Sequence, residues 1–215
     1  MTRNFIPAIV GAALLCTAAP AVPQDASRWT IGPIDDGVSY SPGMPLHPQS
    51  TREGWAFDFP GPRRSDGHVH YVTMRPGSLE NKRRIVVRYR VEAARGARFV
   101  PQEQPDKPAT VSLYFQRAGD TWTGKRQYAF YRWFAPAHTV QQIRPGVHEM
   151  VVEFDDPKWI SVMGGKNPGA NPRGYRDARR HVDNIGLVFG SSGMRGHGVF
   201  ATRPARFELL DFRIE

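Results

Sequence analysis

IVVRYRVE, residues 85–92, decides the fold: Ile85, Val87, Tyr89 and Val91 alternate with Val86, Arg88, Arg90 and Glu92. Successive side chains of an extended chain point to opposite sides, so a period of two marks a β-strand with one face in a core. The same alternation recurs at residues 69–74, 110–117, 127–134, 147–154, 182–189 and 205–214. Between these segments lie Pro60-Gly61-Pro62, Arg75-Pro76-Gly77, Arg144-Pro145-Gly146 and the glycine-rich run 190–198, whose residues fix or free the backbone for turns. Helical periodicity is confined to one short segment, 175–182. Seven or more strands without β-α-β alternation predict an all-β fold, an antiparallel β-sandwich or jelly roll with one or two short helices.

Residues 1–21 have the order of a cleaved secretion signal: Arg3, an apolar run at 5–16, then Ala19-Pro20-Ala21 as the cleavage site. The run is shorter than the roughly 20 apolar residues that a bilayer-spanning helix needs, and no second apolar stretch follows. The expectation is an exported protein, periplasmic or extracellular, with no transmembrane span after processing and one β-sandwich domain at 22–215. Cys16, the only cysteine, lies in the removed segment, so disulfides, thiolate catalysis and cysteine-ligated metals are excluded from the processed chain.

The formal net charge is +9, and apart from Lys82, Lys107, Lys125, Lys158 and Lys166 the basic residues are arginine. The planar guanidinium fork binds carboxylate, sulfate and phosphate at two points, which suits an anionic partner. The arginines are scattered and accompany no recognition motif or basic helix, so nucleic acid is not expected as a partner.

The strand phases assign Val87, Tyr89, Val91, Val111, Leu113, Phe115, Tyr131, Trp133, Met150, Val152 and Phe154 to the core. The opposite sides then form a face that gathers Arg88, Arg90, Tyr114, Gln116, Tyr128, Arg132 and Glu149, with Ser112, Phe130 and Glu153 beside them. Aromatic rings stack on the apolar faces of sugars, and charged groups bind hydroxyls or uronates. This face is therefore the expected ligand site for a polysaccharide or acidic glycan, with His70 as a further ligand residue. The competing reading is an exposed sheet laced with cross-strand ion pairs. Arg132 and Tyr128 are expected to be solvent-exposed, and Trp159 to anchor the core.

Other motifs are weaker. Residues 119–126 have the glycine and lysine spacing of a phosphate-binding loop, but Arg126 stands where a magnesium-binding Ser or Thr is needed and the flanks read as strands, so a hairpin connection is expected. His68 and His70 project from one side of a strand, a geometry open to zinc, yet the sequence links no third ligand to them. Gly190-Ser191-Ser192-Gly193 is not a nucleophile elbow. Lyase chemistry would need a carboxylate-neutralising group such as Arg88 or Arg132 and a base such as Tyr114, Tyr128 or His70. The run GSSGMRGHGVF, 190–200, can present Arg195 and His197 at a binding rim. No catalytic residue, metal or cofactor is assigned.

GVHEMVVEF, DPKWISVMGG, VDNIGLVFG and ARFELLDFRIE, with Trp159, Ile185, Phe189, Phe207 and Phe212 as anchors, resemble the galactose-binding-like jelly roll over roughly residues 85–215. Carbohydrate-binding modules and the complex I intermediate-associated family share that fold. The resemblance implies a jelly-roll sandwich, a scaffold that carries sugar-binding modules, enzyme domains and structural modules alike. It also implies a structural calcium that Asp35-Asp36 with Asp211 could hold, against a capped turn at Asp36-Gly37, the preferred reading. Together with the arginine and aromatic face, the expectation is a non-catalytic domain that binds a glycan or another anionic envelope component. The alternatives are a polysaccharide lyase or glycosidase on the same scaffold, and an envelope structural or assembly protein with a protein partner.

Overall fold

A computed structural model describes residues 24–163 and 165–215; the expected signal segment lies outside them. Two antiparallel sheets share one core. The larger, seven-stranded sheet is ordered Trp29–Gly32, Tyr71–Met74, Val182–Gly190, Thr110–Arg117, Arg132–Phe134, Ile160–Ser161, with Gln141–Gln142 also paired to Thr110–Arg117. The five-stranded sheet is ordered Gly146–Glu153, Arg84–Ala93, Ala205–Ile214, Trp55–Asp58, Gln49–Ser50. This is the β-sandwich of jelly-roll kind that the alternation implied. The expected strands stand near their predicted bounds except at 127–134, where Arg126–Phe130 is a 3-10 turn and only Arg132–Phe134 pairs. The expected helix is Pro172–Arg180, displaced toward the N-terminus because Asn171 caps it and Pro172 pre-sets its first turn.

The inner faces interlock through rings. Phe207 stacks on Phe57 at 5.3 Å and on Tyr89 at 5.0 Å, across neighbouring strands of the five-stranded sheet. From the opposite sheet Phe189 meets Phe57 and Phe207 edge-on at 5.6 and 5.5 Å. Edge-to-face contact sets the positive rim of one ring on the negative face of another, so the ladder is directional as well as apolar. Every core residue assigned from the strand phases is buried except Tyr131, which is half-buried.

Ala205–Ile214 keeps its inward phase by a bulge. Leu209 pairs with Tyr89 and Asp211 with Arg88, so Leu210 is an extra residue, and Phe207, Leu209 and Phe212 all reach the core. Gly54 lies against this bulge: a Cβ there would come within 2.1 Å of the Leu209 carbonyl oxygen. One end of the sandwich is closed by Trp159, packed on Phe115 at 5.1 Å and Phe154 at 6.0 Å, its Nε1 donating to the Glu153 carbonyl at 2.8 Å. The helix seals that end through Tyr175, whose hydroxyl donates to the Phe154 carbonyl, and Arg179, which donates to the carbonyls of Leu79 and Lys82.

Beyond Gly190 the glycine-rich run folds back over the sheet, and His70 lies beneath it with Nδ1 donating to the Gly196 carbonyl at 2.8 Å and Nε2 enclosed without a partner. Burial first, then the neighbouring His68 and His197, push its pKa down to about 4.

Three outcomes follow from this packing. Trp159→Ala should cost about 3–5 kcal/mol in denaturant unfolding, as removal of a buried indole does. Gly54→Ala should cost about 1–3 kcal/mol by overpacking against the bulge, although it adds only a methyl group. Between its unfolded value of 6.5 and its folded value of about 4, His70 stays neutral in the folded protein while the unfolded chain takes up a proton. Stability should therefore fall with acidification across that window, by on the order of 3 kcal/mol at most. His70→Gln should flatten the profile between pH 7 and pH 5, and an unchanged slope would show that other groups set it.

Candidate functional site

The outer face of the seven-stranded sheet carries one continuous cross-strand row: Thr30, Thr73, Gly186, Tyr114, Phe134 and Ile160 stand opposite one another in register. The next row, Asn184, Gln116 and Arg132, adds polar groups on the same side. Phe134, Tyr114, Tyr71 and Val188 form a small second apolar layer there. Tyr71 meets Tyr114 edge-on at 4.8 Å, and Gly196 of the glycine-rich run lies against the Tyr71 ring.

The connection from Thr110–Arg117 to Arg132–Phe134 joins antiparallel neighbours, as the hairpin reading required, and its turn is built around a buried carboxylate. Asp120 Oδ1 accepts from the Trp122 backbone N–H at 3.1 Å and Oδ2 accepts from Gln116 Nε2 at 3.0 Å. Arg132 Nε lies 2.8 Å from the same Oδ2 as an ion pair, without its N–H pointing along the contact, the two side chains being 9% and 1% exposed. Arg132 Nη2 donates to the Trp122 carbonyl at 2.7 Å, and its guanidinium lies 4.7 Å from the centre of the indole. Trp122 takes φ +60°, a left-handed conformation that a bulky residue holds only when its surroundings impose it. Here the carboxylate, the guanidinium and the edge of Tyr71 at 5.7 Å do so.

Trp122 thereby forms one wall of a cleft of about 640 Å³. Thr30, Thr73, Tyr114, Gln116 and Asn184 line its floor, and Pro33 and Ile34 stand at another wall, beside the hairpin Ile34–Ser39. Arg75, 3.2 Å from Asp183, and Arg117, 2.6 Å from Asp177, sit at the rim as ion pairs. Burial pushes the Tyr71 phenol up to about 12 and raises that of Tyr114 well above its ordinary value. Both stay protonated, and Tyr114 acts as a donor, to Gln116 Oε1 at 3.2 Å. An indole wall over hydroxyl and amide groups is the chemistry of a site for a polyol with apolar and polar faces.

The residues expected on one face divide between two. Tyr114 and Gln116 line this cleft with Arg132 buried behind its wall, whereas Arg88, Arg90 and Glu149 lie on the outer face of the five-stranded sheet, across the core. Alternation fixes which side of a strand is outward but not which sheet the strand joins. Arg90 is tied to Glu208 at 2.7 Å and Glu53 at 3.1 Å. Arg132 is buried, not exposed as expected, because Trp122 and Asp120 cover it. Tyr128 is half-buried in the 3-10 turn, edge-on to Tyr131 at 5.0 Å, and is on no strand. His70 lies under the glycine-rich run, outside the cleft lining. Of the groups that lyase chemistry would draw on, Arg132 and Tyr114 stand on adjacent strands of one sheet, whereas Arg88, His70 and Tyr128 lie elsewhere.

Sequence reasoning missed Trp122 and Asp120, which sit in a segment read only as a turn; a Trp two residues beyond an Asp within a turn was the available signal. Arg195 is not free at a rim, since it donates to the carbonyls of Ala135 and Ser192. His68 and His70 pack ring to ring at 4.5 Å, and among the described residues no group of three or more His, Cys, Asp or Glu can hold a metal ion. Asp36-Gly37 forms the two-residue turn of the hairpin Ile34–Ser39, both residues at positive φ, and Asp211 is paired with Arg213 on the other sheet.

No family model matches the chain, and no curated protein matches it. Among solved structures the chain is similar to CBM28, a carbohydrate-binding module specific for non-crystalline cellulose, with a TM-score of 0.41 and 13% identity over 98% of this chain and 99% of that one. It is also similar to CBM15, a xylan-binding module, with a TM-score of 0.38 and 13% identity over 87% of this chain and 95% of that one. Both are likenesses of chain trace, and the ligands named belong to those proteins.

Proposed function

We propose that this is an exported, non-catalytic β-sandwich protein that binds a polysaccharide in the cleft walled by Trp122. Export rests on the order of residues 1–21, a basic start, an apolar run and a small-residue cleavage site. No described helix is long and apolar enough to cross a membrane. The observation that carries the binding role is the strained turn at Trp122. A buried ion pair and a left-handed backbone are spent on holding one half-exposed indole beside a row of neutral hydrogen-bonding groups. A sugar ring lies with its C–H face on the indole while its hydroxyls reach Thr30, Thr73 and Asn184. Since the indole and its supports are fixed before the ligand arrives, little ordering entropy is lost on binding.

Affinity electrophoresis through gels containing soluble polysaccharides tests this reading. The unaltered protein should be retarded by at least one of them, and Trp122→Ala should weaken that retention by about five- to twelvefold, as loss of a stacking aromatic worth about 1–1.5 kcal/mol implies. Arg88→Ala and Glu149→Ala, on the opposite face, should leave it unchanged. Retention lost through Arg88→Ala but kept in Trp122→Ala would move the site to the five-stranded sheet and overturn the assignment.

A further inference from the structure

Arg117 is shared between the Trp122 cleft and a second hollow of about 470 Å³, which lies between the 3-10 turn Arg126–Phe130 and the start of the helix Pro172–Arg180. The two hollows differ in charge. The first is lined by Arg28, Arg75 and Arg117 against Asp35, Asp120 and Asp183, so its positive and negative side chains balance. The second is lined by Arg117, Arg126 and Arg173, with Asp177 as its one acidic side chain among the described residues. That carboxylate is already committed: it accepts from Arg117 at 2.6 Å and lies 3.0 Å from His181 Nδ1. Arg126 and Arg173 are exposed and have no acidic partner among the described residues. The half-buried rings of Phe130 and Tyr131 back the hollow, and the Arg117 guanidinium lies 4.5 Å from the centre of Tyr131.

A wall with two uncompensated guanidinium groups beside half-buried rings is matched to an anion carried on an organic scaffold. We propose that this second hollow is an anionic subsite of the same groove. It takes the carboxylate or sulfate substituents of an acidic polysaccharide whose neighbouring sugar lies against Trp122. The proposal rests on the glycan reading of the first cleft and adds the class of glycan. Arg126 and Arg173 contact the anion; Arg117, held by Asp177, positions the edge common to the two hollows.

The test uses matched pairs of polymers: polygalacturonate with its carboxyl-reduced form, and dextran sulfate with dextran. Dissociation constants are measured at low and high salt. The acidic member of at least one pair should bind more tightly at low salt, and the pair that shows it distinguishes carboxylate from sulfate. The double variant Arg126→Gln, Arg173→Gln should weaken binding to that acidic polymer by about tenfold, the equivalent of about 1.4 kcal/mol, and leave its neutral partner unaffected. Trp122→Ala should weaken binding to both. A control double variant, Arg52→Gln with Arg88→Gln, removes the same charge from exposed positions of the five-stranded sheet side and should have little effect. An equal loss in the control would assign the preference to net charge and overturn the subsite. Equal affinity for both members of each pair, with Trp122→Ala still impaired, would overturn the subsite and keep the cleft. No retention on any polymer would overturn both.

Discussion

The edge-on meeting of Phe189 with Phe57 and Phe207 is the contact on which the molecule depends, because it joins the two sheets near the centre of the core. Phe57 and Phe207 belong to neighbouring strands and lie nearly parallel, so one ring from the opposite sheet seats against both. Fixing that seat fixes the phase of Val182–Gly190, and through it the outward side of Thr110–Arg117, which pairs with it residue by residue from Asn184 to Gly190. A slip of one residue in either strand would turn Tyr114 and Gln116 into the core and Leu113 and Phe115 into water. The outer face is therefore specified from inside.

The same logic explains why a polar site survives over a partly buried sheet face. Asp120 loses its hydration but gains the Trp122 amide, the Gln116 amide and the Arg132 guanidinium in exchange. A buried charge is tolerated when it is paired and hydrogen-bonded and is costly when it is not. Arg132 is in this sense a structural part of the site: it holds the carboxylate and lies over the indole, while the cleft itself is lined by Trp122, by hydroxyl and amide groups, and by charged side chains whose signs balance.

Much of the sandwich was legible in the residues. Arg84–Ala93 and Gly146–Glu153 alternate because each has one buried and one more exposed face, and Thr110–Arg117, buried on both, still alternates in chemistry, with Val111, Leu113 and Phe115 against Ser112, Tyr114 and Gln116. Trp55–Asp58 escaped because Trp55, Ala56 and Phe57 are buried in succession, covered on both sides, so no alternation remains to be read. Trp29–Gly32 and Ile160–Ser161 are too short to show a period. The segment 127–134 misled because Tyr128, Phe130 and Tyr131 pack equally well from a 3-10 turn. Of the candidate site, Tyr114, Gln116 and Arg132 were found as outward residues, but their separation from Arg88, Arg90 and Glu149 depends on which strands pair. That is a long-range property, absent from local periodicity. Trp122 and Asp120 owe their role to backbone geometry in a turn, which composition alone does not record.

Burial also sorts the tryptophans. Trp29, Trp55, Trp133 and Trp159 are fully enclosed, and Trp122 alone among the five reaches solvent. The protein thus contains its own optical reporter: iodide or acrylamide can collide with that single fluorophore, and a saccharide resting on it shields it. Emission from the other four is insulated from the quencher for as long as the chain stays folded, so occupancy and unfolding give separate signals in one cuvette without any label.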